Sequence, residues 1–230
     1  MRTIFFFLTI FSISIAGCNS NVNNDSSSEV QSQQNEAFGS RVIDESTPIS
    51  IDEAVKNVIL GLKNQDTSAI NRHIHIDKGM YFIQSGQGVY SQYFHYFDLG
   101  KLLSDSEASS EFEINPLKYL LDYLNNVNAE EVEIMTEDLF GIDACEFENE
   151  GFFVDSNEAD IKLLTDIYSM NVTAEGSEIN PDELVKLGEV QNEVSKTVII
   201  SDGQESYTLY FTFENEKWWL SIMDLRDCVM

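Results

Sequence analysis

The amino-acid sequence predicts an α+β protein in which helices pack on an antiparallel sheet. An amphipathic helix begins at a capping box, Ser50-Ile51-Asp52-Glu53, and two further helix starts carry proline at the first helical position, Asn115-Pro116 and Asn180-Pro181. Residues 197–223 alternate apolar and polar side chains in three segments separated by turn residues. Because such alternation is typical of strands, we expect a C-terminal three-stranded antiparallel meander with one buried face.

Residues 1–17 have the build of a secretory leader, with a basic start at Arg2, an apolar centre and small residues at the exit. The apolar run is too short to span a bilayer, which takes about 20 residues. It ends at Ile15-Ala16-Gly17-Cys18, which resembles the lipobox of bacterial lipoproteins. In that family the cysteine thiol receives a diacylglyceryl group, the leader is cut before it, and the new amino terminus is acylated. The resemblance implies a signal peptide at 1–17 and a lipid-anchored, palmitate-bearing Cys18.

Residues 18–47 are rich in Asn, Ser, Gln and acidic side chains and contain little that could be buried. Such a segment cannot repay the entropy of ordering, so we expect a disordered tether with a reach on the order of 30 Å. Residues 48–230 then form a single α+β domain held outside a membrane of the bacterial cell envelope. Asn19 stands where an enterobacterial retention signal would have Asp, which favours the outer over the inner membrane in a Gram-negative cell.

The composition is strongly acidic, with a formal net charge of −27 that becomes −28 when the leader takes Arg2 with it (−27 − 1). A surface this negative repels nucleic acid and anionic lipid head groups, so we expect no nucleic-acid partner. It keeps the domain soluble and suits cationic partners such as a basic protein. The apolar content of 43% is sufficient for a hydrophobic core.

Two cysteines remain once Cys18 is assigned to the lipid, namely Cys145 and Cys228. An even pair in an oxidising compartment is a disulfide candidate, and a bridge closing so long a loop is worth about 4 kcal/mol in the chain-entropy model. Two thiols can equally be buried separately, and that alternative stays open.

The first half of the domain follows ordinary rules of spacing and capping. Apolar residues at helical spacing continue the first helix to Leu62, and a short second helix is expected from Asp66 or Thr67 to about His73. Residues 79–83 fit a buried strand and residues 86–88 a turn. Residues 89–99 are rich in aromatic side chains and fit either a strand or a helix.

The second half shows the same signals. A helix is expected from Pro116 through Leu124, strands at 131–134 and 152–154, and a helix from Pro181 onward. Asp155-Ser156-Asn157-Glu158 has the form of a capping box, which predicts a helix running through Tyr168.

Four features occur in a particular order: an amphipathic helix, the junction Asn64-Gln65-Asp66, the Gly-x-Tyr-Phe strand at residues 79–82, and a closing strand with Trp218 or Trp219. This order resembles the nuclear transport factor 2-like superfamily, which includes ketosteroid isomerase, SnoaL-type cyclases and many envelope lipoproteins of unknown role. The resemblance implies an elaborated cone-like fold, in which a curved sheet and helices enclose a pocket. Residues 100–195 add at least two helices that a minimal member lacks, so a different α+β fold stays open.

A metal site is one candidate for chemistry. On a strand, His73, His75 and Asp77 would point to one face, where two imidazoles and a carboxylate could hold Zn²⁺ with an open position for water. Against this, the helix expected up to His73 breaks the alternation, and no fourth ligand is fixed. A surface loop with polar side chains is the plainer interpretation.

Aromatic side chains are the other candidates. Tyr93 and His95 belong to a cluster that could line a pocket or stack on sugar rings, although core packing is the favoured interpretation. Trp218 and Trp219 are adjacent, so on a strand they face opposite ways, one toward the core and one toward an interface.

Three classes of function fit these observations. The first is a lipid-anchored, non-catalytic envelope module that binds a small ligand or a protein partner, and it is favoured because no catalytic motif is found. The second is a cone-fold enzyme of isomerase, hydrolase or zinc-dependent type. The third is an acidic inhibitor or immunity-type lipoprotein that neutralises a basic partner. We expect no catalytic residues and no cofactor.

Overall fold

A computed structural model describes residues 48–85, 91–108, 116–139, 147–159 and 161–226, all within one unit, Asp44–Met230. The α-helices of these residues are α1 Ile51–Lys63, α2 Thr67–Asn71, α3 Leu99–Ala108, α4 Pro116–Asn126, α5 Leu163–Ala174 and α6 Pro181–Asn192. The strands are β1 Met80–Ser85, β2 Ser91–Tyr96, β3 Ile134–Glu137, β4 Gly151–Asp155, β5 Val194–Ser201, β6 Ser206–Glu214 and β7 Lys217–Leu225. Within this part of the chain no helix combines the length and the apolar character needed to cross a membrane.

The strands form one seven-stranded sheet in the order β2-β1-β7-β6-β5-β4-β3. The antiparallel C-terminal meander of β5, β6 and β7 is confirmed. The expectation of a wholly antiparallel sheet was wrong, because β1 runs parallel to β7 and β3 runs parallel to β4. Both parallel pairs join strands that are not linked by a hairpin, as parallel pairing requires. The α+β class holds with a mixed sheet.

Both faces of the sheet are covered, which corrects the expectation that the meander buries one face. Strand β6 turns Leu209 and Phe211 into a core that α1, α3 and α4 close from one side. The alternate residue, Tyr210, packs with Ile222 in a second core, which α5 and α6 close from the other side. A third, smaller cluster continues the second face toward β3 and β4, with Leu139, Phe147, Phe153 and Ile199. Helices on both faces leave little of the meander in water.

Local caps place most helix starts where the sequence predicts them. The Ser50 hydroxyl accepts a hydrogen bond from the Glu53 amide at 3.2 Å, and the Asp66 carboxylate accepts from Ala69 at 3.0 Å. The Asn180 side chain accepts from the Asp182 amide at 3.0 Å, one residue after proline opens α6. Each bond satisfies an amide that the first helical turn leaves without a partner.

The helix predicted from Asp155 begins instead at Leu163, after Lys162, which makes no side-chain cap. Asp155 still belongs to β4, and its buried carboxylate accepts hydrogen bonds from the Leu139 amide at 3.3 Å and the Asn157 amide at 2.9 Å. The side chain therefore closes an Asx turn and ties two loops together, a use of aspartate that competes with helix capping.

Local contacts explain the structure of two other segments for which the prediction was ambiguous or displaced. Residues 89–99 contain a strand followed by a helix, since β2 ends at Tyr96 and α3 begins at Leu99, whose amide is held by Asn71 Oδ1 at 2.9 Å. The strand predicted at 131–134 starts three residues later, because Ala129–Glu131 form a 3₁₀ turn capped by Asn128. The turn predicted at 86–88 lies outside the described residues.

Replacing Ile59 by alanine tests the first core. Ile59 is fully buried at the centre of α1, and losing such a side chain costs about 2–5 kcal/mol. We expect urea unfolding to show a loss of about 3 kcal/mol. The matched control is Ile76→Ala, at a side chain that is 83% exposed, where a change within about 0.5 kcal/mol is expected. Equal losses in the two variants would contradict the packing of α1 on the sheet.

Candidate functional site

The chain has three histidines and two tryptophans, and all five lie at one end of the sheet. They occupy the loop of residues 72–79 before β1, the end of β2 and the start of β7. We call them the His–Trp cluster, and its members are His73, His75, His95, Trp218 and Trp219. The cluster exists because β1 is flanked by β2 on one side and β7 on the other.

His73 joins the loop to β7. Its carbonyl accepts a hydrogen bond from the Leu220 amide at 2.7 Å, and its Nδ1 lies 3.4 Å from the Trp218 carbonyl. Because a carbonyl only accepts, Nδ1 carries a proton in this contact. The side chain is buried, and this burial lowers the pKa of the His73 imidazole, since the charged form loses its hydration. His73 is therefore a neutral structural residue.

A tight turn at residues 75–79 presents the next histidine. The His75 carbonyl accepts from the Gly79 amide at 2.8 Å, and the backbone at Gly79 has φ +65°. A Cβ at Gly79 would lie 2.6 Å from the Tyr96 carbonyl oxygen and 2.7 Å from His95 Nε2. Only glycine fits both the backbone conformation and this close approach of β2.

Hydrogen bonds within this turn fix the protonation pattern of His75. The amides of Asp77 and Lys78 donate to its Nδ1, at 3.1 and 3.2 Å. Nδ1 is therefore the acceptor, and in the neutral ring the proton is on Nε2, which faces Glu214 Oε2 at 3.8 Å. The ring also meets Trp219 edge-on, with centroids 4.8 Å apart.

Lys78 links the turn to two other elements. Its ammonium contacts Glu193 at 2.9 Å, just after α6, and Glu214 at 2.7 Å, at the end of β6. The hydrogen bond from Lys78 lowers the pKa of the Glu214 carboxyl, and the same bond raises the pKa of Lys78. All three side chains are partly exposed, so each pair contributes about 0–1 kcal/mol to stability. These ion pairs hold the 75–79 turn in position relative to the ends of α6 and β6.

These groups line a narrow cleft. About 20 Å³ within it can hold the centre of a water molecule, which is room for one or two waters. Its walls are formed by His75, Lys78, Gly79, Val190, Glu193, Thr212, Glu214, Trp219 and Ser221.

Polar contacts orient the cleft walls. The Trp219 indole N–H donates to the Glu214 carbonyl at 3.2 Å, and the Lys217 ammonium lies 4.1 Å from the centre of the indole ring. The Ser221 hydroxyl donates to Thr212 Oγ1 at 2.7 Å. The cleft thus combines an aromatic surface, two carboxylates and an ammonium in a small space.

The strand on which the metal hypothesis depends is not formed, because residues 72–79 make turns. His73 is buried against β7, whereas the Nδ1 of His75 is taken by backbone amides that include that of Asp77. Across the described ranges, no group of three or more His, Cys, Asp or Glu side chains is arranged to hold a metal ion.

The aromatic candidates divide between packing and surface. His95 stacks on Tyr81 with centroids 4.5 Å apart, and its Nε2 lies 2.6 Å from the Lys78 carbonyl. Tyr93 packs on the second core, where loss of hydration raises the pKa of its hydroxyl to about 12. These two residues support the 75–79 turn and the core rather than line the cleft.

The two tryptophans are both half-buried. Trp218 packs against the first core, and its ring centroid lies 4.8 Å from that of Phe213. Trp219 faces the opposite way and lines the cleft. The expected alternation of the two tryptophans is found, and Trp219 is the one that lines the cleft.

The lipobox cysteine and the disulfide candidates, Cys18, Cys145 and Cys228, lie outside the described residues, and their roles stay predictions. Phe147 is the first described residue after Cys145 in the sequence, and its carbonyl accepts a hydrogen bond from the Ser206 hydroxyl of β6 at 3.4 Å. The start of β6 also lies beside the end of β7, with Thr208 opposite Asp224.

Sequence reasoning missed Lys78, Glu193 and Glu214. They lie on three separate elements and carry no shared motif, so only the sheet order brings them together. The sequence predicts that Gly79 starts a strand, whereas the structure gives it a positive φ of 65° at the end of a tight turn. The glycine itself was the one local signal in the sequence for this turn.

Comparisons with protein-family models, with curated proteins and with solved structures found no match to this chain.

The buried imidazole makes stability depend on pH. Because the pKa of His73 in the folded state is below its ordinary value of 6.5, the unfolded chain binds the extra proton first. This contribution is fully present above pH 6.5 and is lost as the pH falls through 6.5 toward the folded pKa. We expect urea unfolding from pH 8 to pH 5 to show a larger loss in the wild type than in His73→Asn, which retains a donor near Nδ1 but does not titrate.

The acidic side chains are common to both proteins, so their titration cancels in this comparison. Parallel pH profiles of the two proteins would contradict a neutral, buried His73.

Proposed function

We propose that this chain is a lipid-anchored, non-catalytic binding module of the bacterial cell envelope, and that its ligand site is the cleft beside the His–Trp cluster. The observation that carries this proposal is the cleft itself, in which His75 and Trp219 lie beside Lys78, Glu193 and Glu214. These side chains combine apolar area with hydrogen-bonding groups, and tryptophan is enriched among residues that dominate binding energy.

The hydrogen bonds in the cleft favour binding over catalysis. A hydroxyl nucleophile needs a hydrogen bond to a base that accepts its proton. Here the Ser221 hydroxyl donates to Thr212, and the only ring nitrogen of His75 that can accept is taken by two backbone amides. The cleft groups are bonded to one another in a way that stabilises a fixed surface.

The size and charge of the cleft support a small cationic group as its ligand. Sites for drug-sized molecules enclose about 300–1,000 Å³. This cleft admits far less, so it suits a single inserted group, such as an amine or guanidinium from a partner. Lys78, Glu193 and Glu214 sum to one negative charge (+1 − 1 − 1). The Lys217 ammonium already lies 4.1 Å from the centre of the Trp219 indole, so a ligand cation that binds this ring would take the place of Lys217.

The same charges support an acidic inhibitor or immunity-type lipoprotein as the second candidate. With a formal charge of −27, the molecule attracts basic proteins from a distance. In this second candidate the partner is an enzyme or toxin with a basic surface, whereas in the first it is any ligand with an exposed cation. The membrane anchor is common to both.

Replacing Cys18 by serine tests the anchor. An oxygen at this position cannot become the lipid-modified thioether, so we expect loss of palmitate labelling and a shift of the chain out of its usual membrane fraction. Cys145→Ser provides the control, because the same substitution there removes a thiol without touching the lipobox. Unchanged labelling and fractionation in Cys18→Ser would refute the anchor.

Replacing Trp219 by alanine tests the cleft. We expect recovery of a bound partner from envelope extract by the purified chain to fall at least about tenfold, as for a central binding residue. Tyr119→Ala is the matched control, since Tyr119 is an exposed aromatic residue on α4.

A second pair of variants tests whether the negative charge of the cleft, rather than its shape alone, contributes to binding. Glu193→Gln removes a carboxylate that lines the cleft, and Glu189→Gln makes the same change four residues earlier in the chain, on α6 and outside the cleft. Weaker partner recovery with Glu193→Gln alone is expected for a cationic ligand.

Equal recovery by Trp219→Ala and Tyr119→Ala would exclude the cleft as the binding site.

A further inference from the structure

The two edge strands of the sheet differ sharply in charge. Strand β3 forms one edge and is four residues long. Acidic side chains lie on it and beside it, and like charges along an edge repel an approaching strand. These side chains are Glu130, Glu131, Glu133, Glu137 and Asp138.

The opposite edge, β2, carries no charged side chain, and among the described residues the Ser91 carbonyl at its start accepts a hydrogen bond from Asn171 of α5 at 2.9 Å. Residues 79–97, which include β1 and β2, contain no Asp, Glu, Lys or Arg, in a chain with 40 acidic and 13 basic residues. Strand β2 pairs with β1 on its inner side, and among the described residues no strand pairs with its outer side. Phe94 on this strand is 39% exposed, and Gln92 on the same face is also exposed. An uncharged edge with an exposed aromatic residue is a site for strand addition.

We propose that the outer edge of β2 docks a second copy of this chain, with the two β2 strands antiparallel about a two-fold axis. A two-fold axis makes the interface self-complementary, so the strand that meets β2 is another β2. The two sheets then become continuous across the interface, and Phe94 and Gln92 of each copy lie against the β2 strand of the other.

The charge distribution selects a second copy over other partners. Two molecules of charge −27 repel each other, and the repulsion at contact is smallest where uncharged surfaces meet, which β2 provides on both copies at once. A basic partner strand would find no carboxylate on this edge to pair with. The acidic side chains elsewhere are screened over a Debye length of about 8 Å at physiological salt. The association should therefore strengthen as salt is added.

Sedimentation equilibrium of the full-length chain in density-matched detergent tests this proposal. We expect a concentration-dependent monomer–dimer equilibrium whose dissociation constant falls between 50 and 500 mM NaCl. Gln92→Lys and Phe94→Lys should each raise the dissociation constant at least about tenfold, because each places like charges on both strands of the interface. Gln204→Lys, at an exposed turn residue distant in sequence from β2, should leave it unchanged.

A charge-swap experiment distinguishes edge pairing from general repulsion. A mixture of Gln92→Lys and Gln92→Glu chains should form heterodimers in preference to either homodimer. Urea unfolding of each variant checks that the fold is retained. Concentration-dependent protection of the β2 amides from hydrogen exchange in the wild type provides a second measurement that needs no substitution.

A wild-type chain that stays monomeric over this range would overturn the proposal. So would dimers that persist unchanged in Gln92→Lys and Phe94→Lys, or an association that weakens with salt. Protection of β2 amides that appears only when envelope extract is added would identify a different occupant and would equally overturn a second copy.

Discussion

The parallel pairing of β1 with β7 is the constraint on which the rest of the molecule depends. It places Tyr81 opposite Ile222 and Gln84 opposite Leu225, and so joins the N-terminal hairpin to the C-terminal meander in one sheet. The Leu220 amide extends the contact by donating to His73. Without this pairing the 72–79 loop would have no neighbour on β7, and neither the cleft nor the two continuous cores would form.

Two lysines of this acidic chain bind its own backbone, and a third bridges two carboxylates. Lys63 donates to the carbonyls of Leu124 and Asn125 at the end of α4. Lys196 donates to three successive carbonyls, those of residues 155–157, at 2.8–3.1 Å. Lys78 spans two carboxylates from distant elements. The contacts of Lys63 and Lys196 satisfy carbonyls that a helix end and a turn leave without a partner.

Features that depend on neighbours in sequence were predictable, and features that depend on sheet order were not. Ser50 and Asn180 cap helices through bonds to amides two or three residues away, and the alternation in β5–β7 reports a strand directly. Asp155 shows the limit of prediction from local sequence, because the same side chain can cap a helix or close a turn. Its hydrogen bond from the Leu139 amide, which is distant in sequence, favours the turn.

The candidate site shows the same division. Trp219 and His75 could be singled out as unusual residue types, and the opposite orientation of the two tryptophans follows from strand geometry. The zinc interpretation assumed a strand at 73–77, where Gly79 and the hydrogen bonds to His75 Nδ1 impose a turn. The Lys78–Glu193–Glu214 bridge joins positions that only the long-range β1–β7 pairing brings within reach.

The distance along the chain between β1 and β7 has a consequence for how the molecule assembles. During synthesis the hairpin of β1 and β2 emerges long before residues 217–225. Until β7 is made, β1 has no strand partner on the side that later pairs with β7. Contacts between remote segments also slow folding, since a large loop must close before they form. The nascent chain therefore passes through a stage in which an uncharged aromatic hairpin has two unpaired edges, and unpaired strand edges are prone to aggregate.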